Sequence, residues 1–196
     1  MADRLSEYYR VRIKSTRLND EVVAWMSETF SLNVESQWDS PFQDAATNKL
    51  GTTVRAAAQV AGVSFDNKHL SSQVWSGSSP MTLTIPLEFV AESDVVKEVI
   101  KPINLLMKMT LPDTTRAGFY IPPGPVIAGL GKHKGDQITI TIGNFLVFTQ
   151  VVMTSIESDY EMKMGVLGKP MRAKCNVTFR TFTTITKDEL DKIFQR

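Results

Sequence analysis

The stretch Met171–Arg180 reads Met-Arg-Ala-Lys-Cys-Asn-Val-Thr-Phe-Arg and decides the fold class. Its odd-numbered residues are apolar and its even-numbered residues are polar or charged, which is the period of two expected of a β-strand with one buried face. Cys175 falls on the apolar face, so a small buried side chain is a better interpretation than a reactive thiol. The stretch therefore predicts a long amphipathic strand.

The same alternation recurs along the chain. Apolar residues recur at alternate positions, with a few interruptions, in four further segments. We predict these segments as strands: Tyr9–Ile13, Phe30–Trp38, Met81–Phe89 and Ile138–Met153. Gly143-Asn144 interrupts the last segment, and a tight hairpin is favoured there over a bulge, with Phe145 and Val147 resuming the apolar face. Pro86 cannot donate a ladder hydrogen bond, so its strand is expected to be an edge, bulged, or paired on only one side there.

One segment has the helical period instead. Apolar residues recur at helical spacing between Val95 and Met107, with lysines on the opposite face, and Ser93 with Asp94 precedes them as a capping pair. Pro102 falls inside this segment and removes one backbone hydrogen bond. We predict a kinked helix or two short helices.

Charges suggest a register for the last two strands. An antiparallel pairing of the segment ending at Tyr160 with Met171–Arg180 places Glu157 opposite Lys174 and Asp159 opposite Arg172. The same register sets Ile156 across from Cys175. Each such charge pair contributes about 0.2 to 1 kcal/mol, enough to disfavour a slip of one residue.

Composition is that of an ordinary globular protein. Of the 196 residues, 42% are hydrophobic and 22% are charged, and the formal net charge is +1. One cysteine excludes an intrachain disulfide, and no apolar stretch near residue 1 has the length of a signal peptide. We expect a single domain over 1–196 with a long loop or insertion around 41–79, made in a cytoplasm without membrane insertion.

Candidate catalytic motifs are weak. His69 and His133 lie in polar stretches without a nucleophile or ligand pattern, and the glycine-rich segment 129–135 lacks the first glycine and the final Ser or Thr of a P-loop. The acidic row Glu157, Asp159 and Glu161 is better explained as a solvated or ion-paired face than as a metal site. No enzyme, cofactor, metal site or sequence-specific nucleic-acid binding is predicted.

In their order, the C-terminal motifs resemble those of contractile-tail bacteriophage baseplate proteins of the tail-tube-initiator and tail-tube family. The residues that carry this resemblance are Gly143-Asn144-Phe145, the β-type run to Tyr160, Gly168–Ala173 and Asn176–Thr181. The strand and helix between Met81 and Met109 and the segment Trp38–Phe42 also look like their counterparts in the family.

The resemblance implies a mainly β fold, a tail-tube-like antiparallel β-barrel or sandwich flanked by one principal helix. It further implies a virion structural protein, assembled in the host cytoplasm, that forms a homo-hexameric ring in the tail baseplate. Such a ring connects the central hub proteins to the tail tube protein and initiates tube polymerisation around a DNA channel. The tail tube subunit itself is an alternative within the family.

Four aromatic residues are candidates for the subunit interface: Trp38, Trp75, Phe119 and Tyr120. Completion of the monomer core is the competing explanation for them. A small β-rich module that binds a ligand or cell wall is the competing function.

Overall fold

The chain divides into two compact units. The computed structural model describes residues 10–39, 72–125, 136–161 and 168–194. The first unit comprises Met1–Asn33 and Pro80–Arg196, and the second is Val34–Ser79. The insertion expected around 41–79 falls in the second unit, which begins earlier, at Val34. That the whole chain behaves as one domain stays a prediction, and His69, His133 and segment 129–135 lie outside the described residues.

The described residues form eleven strands and two α-helices. The strands are β1 Arg10–Ser15, β2 Asp20–Met26, β3 Ser31–Asn33, β4 Ser36–Asp39, β5 Val74–Ser78, β6 Thr82–Val90, β7 Asp113–Thr114, β8 Tyr120–Ile121, β9 Ile138–Ile142, β10 Leu146–Tyr160 and β11 Arg172–Thr181. The helices are α1 Lys101–Thr110, preceded by a π-helical turn at Val96–Ile100, and α2 Lys187–Phe194.

Six strands of the first unit close into an antiparallel barrel. Their order is β1-β2-β6-β11-β10-β9, the pairing of β9 with β1 closes the circle, and β3 adds to β6. Closure leaves no edge among these six strands and buries one face of each. The prediction of a mainly β fold with an antiparallel barrel and one principal helix is confirmed.

The core of the barrel consists of the alternate residues of its strands. Met171–Arg180 behaves as its pattern predicts, because Ala173, Cys175, Val177 and Phe179 are all buried. The helix adds Val99, Ile103, Leu106 and Met109 to the same core. α1 contacts both β2 and β10, which lie on opposite sides of the closed strand order, so the helix bridges the two sides of the barrel.

Pro86 lies where β6 changes partner. On one side of Pro86, β2 pairs with Leu87 and Glu88 of β6. On the other side, β3 pairs with residues 82–84 of β6. The carbonyl oxygen of Pro86 accepts a 3.0 Å hydrogen bond from the N–H of Ser27, and the missing proline N–H leaves this pair without a reciprocal bond. In the described strand ladders, Pro86 pairs with Asn176 of β11 and with no residue of β2 or β3, so pairing on only one side, one of the three predicted possibilities, is present.

β10 contains two bulges, and at each of them the side chains change the face of the sheet to which they point. The registers with β9 and β11 shift between Phe148 and Val151 and again between Met153 and Ser155. Each extra residue moves the following side chains to the other face. The prediction that Phe145 and Val147 share the apolar face is therefore wrong, because Leu146 and Phe148 are buried while Phe145 is 46% exposed.

The β10–β11 register also differs from the predicted one. Glu157 lies opposite Asn176 rather than Lys174, and Asp159 lies opposite Lys174 rather than Arg172. Likewise, Ile156 pairs with Val177 instead of Cys175. The buried Met153 pairs with the buried Phe179, and the following bulge adds one more residue to β10. The strands therefore match their apolar residues first, since burial of a large side chain contributes about 1.5 to 3 kcal/mol, more than one surface ion pair.

The predicted helix forms in two parts. The π-helical turn Val96–Ile100 ends where α1 begins, and Pro102 lies in the first turn of α1, where its missing N–H costs little. The carboxylate of Asp94 accepts hydrogen bonds from the N–H groups of Val96 at 2.9 Å and Lys97 at 3.3 Å, which confirms the predicted capping role of Asp94. The chain therefore accommodates Pro102 by changing from a π-helical turn to an α-helix just before this residue.

Candidate subunit interface

Trp38 and Trp75 lie directly opposite each other in the second unit. They belong to β4 and β5, which pair as an antiparallel two-stranded ribbon. Trp38 is 54% exposed and Trp75 is 56% exposed. The structure thus brings together two of the four predicted interface residues, and we name the pair of strands that carries them, β4 and β5, the tryptophan ribbon.

Hydrogen bonds between described residues join the two sides of this ribbon. The hydroxyl groups of Ser36 and Ser78 lie 3.2 Å apart, and the N–H of Ser79 donates a 3.0 Å hydrogen bond to the carbonyl oxygen of Glu35. Among the described residues, β4 and β5 pair only with each other. An isolated two-stranded ribbon is only marginally stable in water, and it gains stability when other strands or side chains pack against it.

Phe119 and Tyr120 lie in the first unit, on a short hairpin formed by β7 and β8. Asp113 pairs with Ile121 and Thr114 with Tyr120, and residues 115–119 form the turn. Phe119 is 73% exposed and Tyr120 is 77% exposed. The competing explanation for the four aromatics, completion of the monomer core, is therefore wrong, because none of them is buried.

The charged pairs predicted on β10 and β11 form a different arrangement. The guanidinium of Arg172 contacts the carboxylate of Glu88 and lies 3.6 Å from that of Glu161, while Lys174 faces both Asp159 and Glu88 across the strands. Partly exposed ion pairs of this kind contribute about 0 to 1 kcal/mol. These ion pairs lie on the outer face of the barrel, between neighbouring strands.

A third exposed feature was not predicted. The helix α2 covers part of β10, and between them lies a groove of about 250 Å³. Ile185, Leu190 and Ile193 of this segment pack on the core but remain partly exposed. The sequence contains a signal for α2, because Thr186-Lys187-Asp188-Glu189 is a capping box. Both reciprocal contacts of that box form, Thr186 N–H to Glu189 at 2.9 Å and Glu189 N–H to the Thr186 hydroxyl at 3.4 Å.

Chemistry-bearing clusters are sparse in the described part of the chain. Across residues 10–39, 72–125, 136–161 and 168–194, no group of three His, Cys, Asp or Glu side chains is arranged to hold a metal ion. Cys175 is buried, and its burial raises the pKa of the thiol, in line with its interpretation as a small core residue. In the same described segments, no helix combines the length and the apolar character needed to cross a bilayer.

Two surfaces therefore stand out for contacts with other proteins, the tryptophan ribbon and the aromatic tip of the β7–β8 hairpin. Both present aromatic side chains, which are enriched in protein interfaces. Comparison of the chain with protein-family models and with curated protein sequences found no match.

Proposed function

We propose that this protein is a structural virion protein that forms a hexameric ring in the baseplate of a contractile-tailed bacteriophage. The ring connects the central hub to the tail tube and initiates tube polymerisation around a DNA channel. The order of the C-terminal motifs supports this proposal, because it resembles that of the tail-tube-initiator and tail-tube family. The closed antiparallel barrel with one principal helix agrees with the fold that the resemblance implies.

The observation that carries the proposal is the pairing of Trp38 with Trp75 on an exposed ribbon. Two adjacent indoles left in water forfeit the burial that makes tryptophan a frequent hot spot of protein interfaces. Identical subunits arranged with closed symmetry are the commonest partners of an exposed patch of this kind. A ring of identical copies would bury both indoles.

Sizing and particle imaging test the proposal. Analytical ultracentrifugation of the purified chain is expected to show a hexamer, and electron microscopy is expected to show six-fold rings with a central channel. Trp38→Ser with Trp75→Ser should shift the population to monomers while circular dichroism stays unchanged. Tyr160→Ser, which removes an exposed aromatic from the barrel, serves as the matched control and should still assemble.

The same images separate the competing functions. Long tubes formed by the chain alone support the tail tube subunit, whereas single rings that extend only after tube protein is added support the initiator. A particle that stays monomeric at high concentration overturns the ring and favours the ligand-binding module.

A further inference from the structure

The β7–β8 hairpin is an ordered projection. The N–H of Thr115 donates to the carbonyl oxygen of Phe119 at 2.8 Å, and the N–H of Gly118 donates to the carbonyl oxygen of Thr115 at 2.9 Å. The N–H of Phe119 also donates to the hydroxyl of Thr115 at 3.0 Å. Gly118 has a φ of +83°, which a side chain rarely adopts. These contacts fix the backbone of the turn that carries Phe119, and the ring of Phe119 is solvent-exposed.

The base of the hairpin is fixed to the barrel. Asp113 forms an ion pair with Arg17 in the turn between β1 and β2. The backbone N–H of Arg17 in turn donates a 3.0 Å hydrogen bond to the buried carboxylate of Asp136. A projection anchored in this way loses little conformational entropy on binding, so it is suited to be an interface anchor.

The groove under α2 has the size of a side-chain pocket. Val147 and Phe148 of β10, Phe182 after β11, and Ile185 and Ile193 at α2 supply its apolar lining. Its volume of about 250 Å³ lies below the roughly 300 to 1,000 Å³ of pockets that take drug-sized ligands. A single aromatic ring is therefore a better match to the groove than a free small molecule.

The lining of the groove includes one acidic and one basic side chain. These are Glu189 and Lys192 of α2, whereas Asp188 and Asp191 of the same helix do not line it. Hydrogen bonds from the N–H and hydroxyl of Thr186 lower the pKa of Glu189, so this carboxylate is charged at neutral pH. On the hairpin, the exposed Arg116 lies three residues before Phe119. The hairpin thus carries a cation close in sequence to its aromatic ring, and Glu189 is the acidic side chain of the groove that this cation can meet.

The hairpin tip and the groove are different surfaces of one barrel. The hairpin is anchored at the turn between β1 and β2, and the groove borders β10 and the end of β11. Neither β1 nor β2 is adjacent to β10 or β11 in the closed strand order. Phe119 is 73% exposed, so it does not fill the groove of its own chain. If two copies do not exchange this contact reciprocally, it joins successive copies head to tail, which is the arrangement that a cyclic ring requires.

We propose that Phe119 and Arg116 of one copy dock into the groove between α2 and β10 of a neighbouring copy. This contact rests on the proposed ring and adds the interface through which its subunits join. It assigns a partner to the two exposed features of the first unit, and it is independent of the tryptophan ribbon.

Truncation of the anchor tests the contact. Phe119→Ala should raise the concentration needed for assembly by about tenfold or more, as expected when an interface anchor is removed. Thr149→Trp should act similarly from the other side, because Thr149 is an exposed residue that lines the groove. Leu111→Ala, which removes an exposed apolar residue just outside the hairpin, is the matched control and should assemble as the unmodified chain does.

Cross-linking tests the head-to-tail geometry directly. Phe119→Cys and Thr149→Cys, prepared separately, mixed above the concentration at which Phe119→Ala assembles and oxidised, should give a covalent heterodimer, and the double variant should give a ladder of oligomers. Phe119→Cys alone should not cross-link, and neither should the unmodified chain, since Cys175 is buried. Leu111→Cys mixed with Thr149→Cys controls for random collision.

The outcomes separate the two proposals. Six-fold rings that form with Phe119→Ala at the normal concentration, and without heterodimer cross-links, overturn the Phe119 contact and leave the ring. Monomers under all conditions overturn both. Cross-links of Phe119→Cys with itself instead of Thr149→Cys overturn the head-to-tail arrangement.

Discussion

The hydroxyl of Ser15 lies 2.9 Å and 2.7 Å from the two carboxylate oxygens of Asp136, although 121 positions separate the two residues. Both residues are buried, and the same carboxylate accepts the backbone N–H of Arg17. The Ser15 hydroxyl also accepts a 3.1 Å hydrogen bond from the N–H of Leu18. This small network ties the turn between β1 and β2 to the start of β9 and supports the base of the β7–β8 hairpin through Arg17.

Removal of the Ser15 hydroxyl is expected to destabilise the fold. Ser15→Ala leaves a buried carboxylate and the N–H of Leu18 each short of one partner, at a cost of about 1 to 3 kcal/mol in the free energy of unfolding. Urea denaturation followed by circular dichroism measures the change. Ser155→Ala, at an exposed position, is the control and should stay within about 0.5 kcal/mol of the unmodified chain. Equal losses in the two variants would contradict the structural role of Ser15.

The contribution of α1 to the core is tested by two adjacent leucines. Leu106 is fully buried and Leu105 is only partly buried. Leu106→Ala should lower the free energy of unfolding by about 2 to 5 kcal/mol, because it removes packed methyl groups and leaves a cavity. Leu105→Ala should cost less than half as much in the same denaturation experiment. The reverse order would show that the helix packs on the barrel with a different face.

Glu98 predicts a dependence of stability on acid pH. Its carboxylate accepts the N–H of Glu92, the hydroxyl and N–H of Ser93 and the N–H of Asp94, and these bonds lower its pKa from 4.5 to about 2. Because the folded pKa lies below the unfolded one, the stabilisation is complete above pH 4.5 and is lost as the pH falls through about 2.

Thermal unfolding across this pH range checks the role of Glu98. The melting temperature of Glu98→Gln should lie below that of the unmodified chain at neutral pH, and the difference should shrink between pH 4.5 and 2. Glu28→Gln, at an exposed carboxylate, controls for the change in net charge. A difference that stays constant with pH would show that the hydrogen bonds of Glu98 do not favour its charged form.

Cys175 is expected to be chemically silent in the folded protein. The side chain is buried, its thiol donates to the hydroxyl of Ser158 at 3.4 Å, and burial raises its pKa. A thiol reagent should therefore react slowly with the native chain and rapidly after denaturation. Rapid reaction of the native protein would show that the β10–β11 pair opens readily.

Local alternation predicted the strands of this protein well wherever one face is buried. Met81–Phe89 and Met171–Arg180 follow their patterns closely, and the helix and its capping residue Asp94 were also found. The prediction weakened where strands have little burial or turn over. The short strands β7 and β8 were missed, and Phe30–Trp38 divides into β3 and β4. β2 was missed although Val22 and Ala24 are buried, because Val23 and Trp25 on its other face are also apolar and no alternation is visible.

The four candidate interface residues show the same limit of sequence-based prediction. Their aromatic character marked Trp38, Trp75, Phe119 and Tyr120 as candidates, but the sequence did not distinguish an exposed ring from a buried one. Exposure depends on which other segments cover a residue. The opposition of Trp38 and Trp75 arises from a pairing across a long segment of chain, and no local pattern specifies it.

By itself, the sequence determined that this chain is mainly β with one principal helix, because side-chain periodicity is a local property and the burial of one face follows from it. Only the tertiary structure decided the closed strand order, the two bulges in β10 and the register that places Asp159 opposite Lys174. Register is set by the packing of buried side chains such as Met153 against Phe179, and the weaker surface charges adopt whichever partners that packing leaves them.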